Sequence, residues 1–156
     1  MTERVDFYVL KSAAAKQRWV VACRLAEKAY LRDLSIVIAN DTLADAQALD
    51  DLLWTFNERS FIPHKVCTDE HPMDPATKVH LAVLPGASPA ALPAADLLVN
   101  LTAHLPAHWE LYPRIVEIID ADEERRRLGR ERFKMYRDRK VALETHQLTD
   151  TSDIHG

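Results

Sequence analysis

Short apolar segments alternate with longer amphipathic segments along most of the chain. The apolar segments have the length of β-strands and cover residues 5–10, 35–39, 79–84, 97–101 and 114–119. Several are rich in Val and Ile and lack the polar alternation of a half-exposed strand, which is typical of strands buried in a parallel sheet. The pattern therefore predicts a mostly parallel sheet whose strands are joined by helices.

Apolar residues recur at helical spacing in three segments, which we predict as helices at about 13–32, 43–56 and 122–139. Ser12 precedes the first helix, and Asp41 or Thr42 the second, as N-caps. Residues 60–64 are interpreted as a short extended segment or loop, and 67–77 and 85–95 as loops. The expected fold is a three-layer α/β/α sandwich, with residues 1–146 as a single domain and 147–156 as a flexible polar tail. The chain is expected to be polar and frayed from Glu144 onward.

The composition is that of a globular domain: 47% of the 156 residues are apolar and 28% are charged. The net charge of −4 argues against a dedicated nucleic-acid-binding protein. Cys23 and Cys67 are expected to be buried thiols rather than a disulfide framework. The start of the chain lacks the features of a signal peptide, and no apolar run reaches the roughly 18 residues of a membrane span. These features lead us to expect a cytoplasmic protein that does not contact membranes.

Several common sites are missing from the sequence. The three glycines, Gly86, Gly129 and Gly156, form neither GxGxxG nor GxxxxGK[ST], so the fold is expected to be Rossmann-like without a phosphate-binding glycine loop. Pro106 interrupts the pair His104 and His108, and no HExxH pattern occurs. We therefore predict no cofactor, no metal site and no catalytic residues.

The last predicted helix combines positive charge with one aromatic side chain. Residues 120–140 contain nine basic and six acidic side chains. At about 100° per residue, four of the cations share one stripe with Phe133; they are Arg126, Arg130, Lys134 and Arg137. Leu128 and Met135 lie nearly opposite and are expected to face the core. Carboxylates with an apolar anchor would suit such a stripe, as would single-stranded nucleic acid.

The sequence allows more than one role for two sets of residues. The arginines of the last helix could simply form pairs within the helix, such as Glu123–Arg127. The other set is the aromatic segment Trp54, Phe56, Phe61, Pro63 and His64, which could belong to the core or form an exposed patch that docks another protein.

Four motifs in order make the chain similar to a known family. They are FYVL at 7–10, ALDDLLW at 48–54, SFIPH at 60–64 and GRERFKMYR at 129–137. Together they resemble the chi subunit of bacterial DNA polymerase III, over residues 5 to about 146. The resemblance implies an accessory subunit of DNA replication that has no polymerase activity of its own. It further implies an adaptor that joins the clamp-loader complex, through the psi subunit, to the acidic C-terminal tail of single-stranded DNA-binding protein.

The resemblance also assigns residues to these partners. The tail site is carried onto Arg126, Arg130, Phe133 and Lys134, with Ile119 as an apolar wall. The family commonly has tyrosine at the position of Phe133 and often lysine at that of Arg126. The psi interface is carried onto Trp54, Phe61, Pro63 and His64, a surface that binds a helicase-like protein in some relatives. Contact with DNA would be mostly indirect; a module that binds single-stranded nucleic acid directly through the last helix is the alternative.

Overall fold

A computed structural model of the protein describes residues 2–11, 15–55, 62–67, 77–83, 95–106 and 109–148. The strands are β1 (Arg4–Leu10), β2 (Ile36–Asn40), β3 (His64–Cys67), β4 (Val79–Val83), β5 (Leu97–Asn100), β6 (Arg114–Ile119) and β7 (Ala142–Leu148). The helices are α1 (Ala15–Leu31), α2 (Leu43–Thr55) and α3 (Glu123–Asp138), with a 3-10 turn at Trp109–Leu111. The predicted cap Ser12, the loops at 67–77 and 85–95 (except residues 67, 77 and 95) and the side chains of Phe56, Phe61, Cys67 and His108 lie outside the described residues.

The seven strands form one sheet in the order β3-β4-β2-β5-β6-β1-β7, and every neighbouring pair is parallel. One apolar cluster lies between the sheet and helices α1 and α2. A second apolar cluster, on the other face, contains Trp109 of the 3-10 turn, Tyr112 just after it and Tyr136 of α3. The prediction of an α/β sandwich around a parallel sheet is confirmed. Among the helices in the described ranges, none has the length and apolar character needed to cross a membrane.

The two edge strands differ from the sequence-based expectation. β7 pairs with β1 from Arg4–Ala142 to Leu10–Leu148, so the prediction of a frayed chain from Glu144 onward is wrong for residues 144–148. Residues 149–156 of the predicted tail lie outside the described residues. The strand also continues two residues past the predicted domain boundary at 146, and Leu148 is buried. At the opposite edge, β3 begins at the last residue of the segment predicted as extended or loop, 60–64, and ends at the first residue of the predicted loop 67–77. Edge strands bury few side chains, which removes the apolar signal that marks the central strands.

The buried face of α3 also differs from the prediction. Leu128 and Met135 were expected to face the core, but the buried positions are Gly129, Arg132 and Tyr136. Leu128 and Met135 are only partly buried, on one flank of this face. The apolar pattern misled because a glycine and an arginine occupy positions that normally carry large apolar residues.

Candidate functional site

A buried polar network fixes the rotation of α3 on the sheet. The carboxylate of Glu117, on β6, has no solvent exposure. It accepts hydrogen bonds from Arg132 Nε at 3.0 Å, Tyr136 Oη at 2.8 Å and Asn100 Nδ2 at 3.2 Å. Burial raises the pKa of Glu117, and the charge of Arg132 opposes that rise. Two of these donors come from α3, so the helix cannot rotate without leaving a buried carboxylate unpaired.

A second anchor holds the beginning of α3. Asp122 caps the helix by accepting a hydrogen bond from the backbone N–H of Arg125 at 2.9 Å. The buried carboxylate of Asp120 accepts two hydrogen bonds from the Arg125 guanidinium, at 2.8 and 2.6 Å. Burial alone would raise the pKa of Asp120, but the bonds from Arg125 and from the backbone N–H of Asp122, together with the charges of Arg125 and Arg18, outweigh burial and lower the pKa. The backbone carbonyl of Asp120 accepts from Arg126 Nε at 3.0 Å, which orients that guanidinium.

Gly129 lets α3 approach the end of β6 closely. A Cβ atom at this position would lie 2.7 Å from Ile119 Cδ1 and 3.2 Å from Ile119 Cγ1. Both separations are shorter than ordinary van der Waals contact, so a larger residue would displace the isoleucine or the helix. Glycine in a helix costs about 1 kcal/mol relative to alanine. The close approach of α3 to Ile119 is the structural reason why glycine occupies position 129 despite this cost.

A groove of about 320 Å³ opens between α3 and the sheet beside this contact. Its apolar side chains are Phe7 and Val9 of β1, Ile119 of β6 and Phe133 of α3. Phe133 is half-buried and meets Phe7 edge-on, with the ring centroids 5.2 Å apart. Thr145 and Gln147 of β7 add polar groups to the lining. The groove thus presents aromatic and aliphatic surface with polar side chains beside it.

The predicted tail-site residues are largely brought together in this groove. Arg126, Arg130, Phe133 and Ile119 line it, whereas Lys134 is exposed on α3 outside the lining. Phe133 lies between the buried face of the helix and the cations, rather than wholly among the cations as the sequence suggested. Its position leaves one part of the ring against Phe7 and another part open to a ligand.

The cations of α3 divide into paired and unpaired groups. Arg127 pairs with Glu124 and Glu131 on the same helix, not with Glu123 as the sequence suggested. Arg139 lies 3.7 Å from Glu110. Three further cations of α3 have no carboxylate at ion-pair distance within the described ranges. They are Arg130, Lys134 and Arg137. The unpaired cations therefore belong to the predicted stripe, whose charge is available to an anionic ligand.

The aromatic patch of Trp54, Pro63 and His64 lies at the other end of the sheet. Trp54 is 47% exposed at the end of α2, and its ring centroid is 4.4 Å from that of His64. His64 Nδ1 lies 2.7 Å from the Ile62 carbonyl oxygen, and Nε2 lies 2.8 Å from a carboxylate oxygen of Asp50. The exposure of Trp54 is greater than core packing alone would give. With strands about 4.8 Å apart, the β3 and β7 edges are separated by about 29 Å.

One cluster in the described part of the chain has a spacing suitable for metal ligands. Donor atoms of Asp6, Glu144 and His146 lie within 4.8 Å of one another. However, Asp6 already accepts hydrogen bonds from Arg4 and His146, and Arg114 lies 3.3 Å away. Burial would raise the pKa of Asp6, but the hydrogen bonds from Arg4, His146 and Arg114 and the charge of Arg4 together outweigh burial and lower the pKa. Two arginines on the carboxylate oppose a metal cation, so the cluster is an ion-pair network.

The residues that position the site do not stand out in the pattern of apolar residues. Glu117 is a charged residue in the apolar strand RIVEII, and that was a usable signal because buried carboxylates need partners. Its partner Arg132 was counted only as one of many cations. The contribution of β7 to the groove carried no local signal, since it depends on pairing with β1 far away in the sequence.

The fold and the sequence together define a class: a Rossmann-like domain whose first strand is followed by no glycine-rich phosphate loop. Solved structures with this fold include the C-terminal domain of the DEAD-box protein Dbp5, with a TM-score of 0.65 and 10% identity over 92% of this chain and 90% of that one. T4 UvsW has a TM-score of 0.63 and 12% identity, covering 95% of this chain and 42% of that one. At such identities the likeness shows the fold alone.

The particular family follows from the sequence comparisons. Residues 1–144 match the model of the family described as DNA polymerase III chi subunit, HolC. The DNA polymerase III subunit chi of Pseudomonas aeruginosa is 34% identical over 145 residues, covering 93% of this chain and 96% of that protein. The subunit of the same name from Haemophilus influenzae is 26% identical over 139 residues, covering 88% and 92%. The chain therefore belongs to the chi subunit family. Its members are non-catalytic accessory subunits of a DNA polymerase in DNA replication.

Proposed function

We propose that this chi subunit is a cytoplasmic adaptor that binds the acidic C-terminal tail of single-stranded DNA-binding protein in the groove beside α3. A second surface, the aromatic patch, would bind the psi subunit and through it the clamp loader. The observation that carries the tail proposal is the set of unpaired cations beside an apolar groove. The family resemblance supplies the partner, whose tail ends in aspartates, a proline and a phenylalanine.

The groove has a suitable surface for each part of such a tail. A terminal phenyl group would pack on Phe133, Phe7 and Ile119, where burying an aromatic side chain contributes about 1.5–3 kcal/mol. The tail carboxylates would meet Arg126 and Arg130, whose guanidinium groups can donate two parallel hydrogen bonds. Lys134 would add long-range attraction rather than direct contact, since it lies outside the groove lining.

These contributions together give moderate affinity. Each exposed ion pair contributes about 0–1 kcal/mol, so the charges alone would not hold the tail. Micromolar binding corresponds to about −8 kcal/mol, and with a buried phenyl group and a few such pairs we expect an affinity no tighter than that. Because the cations are exposed, added salt is expected to weaken the complex.

The tail proposal is tested by titrating a fluorescent peptide of the tail sequence into wild-type and variant protein. Phe133→Ala and Arg130→Ala are each expected to weaken binding several-fold, and Lys134→Ala less. Arg127→Ala is the matched control, because Arg127 lies on the same helix but is paired with Glu124 and Glu131. Equal affinities of the wild type and the first two variants would contradict the assignment of this groove.

The same titration separates the alternative function. A module that binds single-stranded nucleic acid directly through α3 would bind a bare oligonucleotide, and Arg130→Ala would weaken that complex. Tight, Arg130-dependent binding of the oligonucleotide without affinity for the peptide would favour the alternative over the adaptor.

The aromatic patch requires its own experiment. The proposal that psi docks there rests on the family resemblance and on the exposure of Trp54 beside His64 and Pro63. Co-purification of psi with the chi subunit is expected to fall with Trp54→Ala and to persist with Leu111→Ala, whose side chain is 75% exposed elsewhere. A helicase-like protein that uses the same patch would compete with psi. Unchanged psi binding by Trp54→Ala would refute this interface.

A further inference from the structure

The groove beside α3 lies next to the end of β7. Thr145 and Gln147 of this strand line the groove, and Gln147 is in register with Val9 of β1, which also lines it. Leu148, the last residue of β7, is buried on the opposite face of the sheet, in the cluster that packs against α1 and α2. The chain beyond residue 148 therefore starts within two residues of the groove lining.

The sequence that follows β7 has the composition of a ligand for this groove. Residues 149–156 read Thr-Asp-Thr-Ser-Asp-Ile-His-Gly, with two acidic side chains and no lysine or arginine. Asp150 and Asp153 supply the carboxylates, and Ile154 supplies an apolar side chain directly after the second one. Carboxylates followed by an apolar anchor are the chemistry, in the same order, of the partner tail proposed for this groove.

The lining of the groove is complementary to such a segment. Its described residues include two cations, Arg126 and Arg130, and no carboxylate. Arg130 is exposed, and Arg126 donates a hydrogen bond to a backbone carbonyl, which is a neutral acceptor. Apolar surface for an isoleucine is available on Phe7, Ile119 and Phe133. Charge and apolar surface are thus both present for the residues that follow β7.

The segment is long enough to reach every part of the groove. Two strand spacings, about 10 Å, separate β7 from β6 at the far side of the lining. Arg126 and Arg130 lie one helical turn apart, about 6 Å along the axis. An extended chain covers about 3.3–3.6 Å per residue, so Asp150 can lie about 7 Å from Leu148 and Asp153 about 17 Å from it. So short a connection gives the segment an effective concentration of about millimolar order at the groove.

We propose that residues 149–156 dock in the groove beside α3 and compete there with the acidic tail of the partner. The two aspartates would meet Arg126 and Arg130, and Ile154 would pack on Phe133. The docking involves this chain alone, whereas the competition rests on the proposed function. Phenylalanine offers more apolar surface than isoleucine, so the partner tail would displace the segment, while weaker acidic peptides would be kept out.

The docking is tested on the full-length protein by the carbon-13 methyl NMR spectrum of its isoleucines. Ile154→Val identifies the signal of Ile154 by removing it. The rings of Phe7 and Phe133 are expected to shift this methyl signal upfield of its position in a free peptide of residues 149–156. A signal at the free-peptide position in the wild type would overturn the proposal. A shift that grows with protein concentration would also overturn it, because the segment would then dock in a second molecule.

Removing either side of the ion pairs should release the segment. Arg130→Ala, and separately Asp150→Asn combined with Asp153→Asn, are each expected to move the methyl signal to the free-peptide position. Arg127→Ala is the matched control on α3, because Arg127 is paired with carboxylates of the same helix, and Ser152→Ala is the control within the segment. A shift that persists in both test variants, or that is lost equally in Arg127→Ala, would contradict docking in this groove.

Titration of the fluorescent partner-tail peptide measures the competition. If the effective concentration is about twice the dissociation constant of the docked segment, about two thirds of the grooves are occupied, and the double aspartate variant should bind the peptide about threefold more tightly than the wild type. Equal affinities would overturn the competition. A peptide that binds neither protein while the Ile154 signal stays shifted would refute the adaptor proposal and leave the docking intact. An unshifted Ile154 signal with equal peptide binding would refute the docking and leave the adaptor proposal intact.

Discussion

Replacing Gly129 by alanine sets two effects of similar size against each other. Alanine favours the helix by about 1 kcal/mol over glycine. The new methyl group would lie 2.7 Å from Ile119 Cδ1, and overpacking of this kind costs about 1–3 kcal/mol. The free energy of unfolding of Gly129→Ala is therefore expected to lie between unchanged and about 2 kcal/mol lower.

The clash can be isolated with a second change, because Ile119→Val removes the Cδ1 atom itself. Alone, Ile119→Val is expected to lower the free energy of unfolding by about 0.5–1.5 kcal/mol, as usual for a buried isoleucine. In the double variant the shortest contact, to Cδ1, is gone, only the 3.2 Å approach to Cγ1 remains, and the helix keeps its gain from alanine. The double variant should therefore lie within about 0.5 kcal/mol of the wild type.

Urea unfolding of the four proteins, followed by circular dichroism, measures the coupling between the two positions. If the effects were additive, the double variant would be about 0.5–3.5 kcal/mol less stable than the wild type. We expect a favourable coupling of about 1–3 kcal/mol instead. A coupling within about 0.3 kcal/mol of zero would refute the argument that close packing on Ile119 accounts for glycine at position 129.

Three further measurements examine the buried polar groups and the thiol. Tyr136→Phe removes the 2.8 Å hydrogen bond to Glu117 and should lower the free energy of unfolding by about 1–3 kcal/mol in urea titrations. The pKa values of Asp6 and Asp120 are lowered by folding, so their stabilisation is complete above about pH 5 and is lost as the pH falls through their folded pKa values. The urea unfolding midpoint should therefore be lower at pH 3 than at pH 6, and the difference between the two midpoints should be smaller in Asp6→Asn. Burial raises the pKa of the Cys23 thiol to about 12, so iodoacetamide at pH 8 should label Cys23 only after unfolding, as read by peptide mass spectrometry.

The central sheet could be predicted from the sequence because its strands are buried on both faces. β2 is buried at all five positions, and β6 at five of six, so each appears as a largely apolar run, with a polar residue only at the end of β2 (Asn40) and, in β6, at Arg114 and Glu117. β7 has the opposite character: most of its side chains are exposed, and only Leu148 is buried. Its place in the sheet comes from pairing with β1, a contact between distant parts of the chain that no local pattern records.

The cationic half of the groove could also be predicted, because Arg126, Arg130 and Phe133 belong to one helix whose geometry is regular. The rotation of that helix could not. The rotation is set by hydrogen bonds from Arg132 and Tyr136 to the buried carboxylate of Glu117. A hydrophobicity scale treats such polar residues as surface residues. Polar residues that are buried in pairs therefore escape an analysis based on hydrophobic periodicity.

The same buried network explains why the helix can present so much unpaired charge. Arg132 and Arg125 use their charges on Glu117 and Asp120, which are buried carboxylates at the end of β6 or just beyond it. Glu117 and Asp120 are therefore not available as partners for the cations on the outer stripe of α3. The helix is thus held by paired arginines on one side and left with unpaired cations on another. If the groove and the aromatic patch bind the two proposed partners, at least four strand spacings of parallel sheet, about 19 Å, separate them, because the groove begins at β6 and the patch lies at β3. Occupancy of one surface should then leave affinity at the other unchanged, since coupling between sites requires a difference in conformation that a buried sheet does not readily supply.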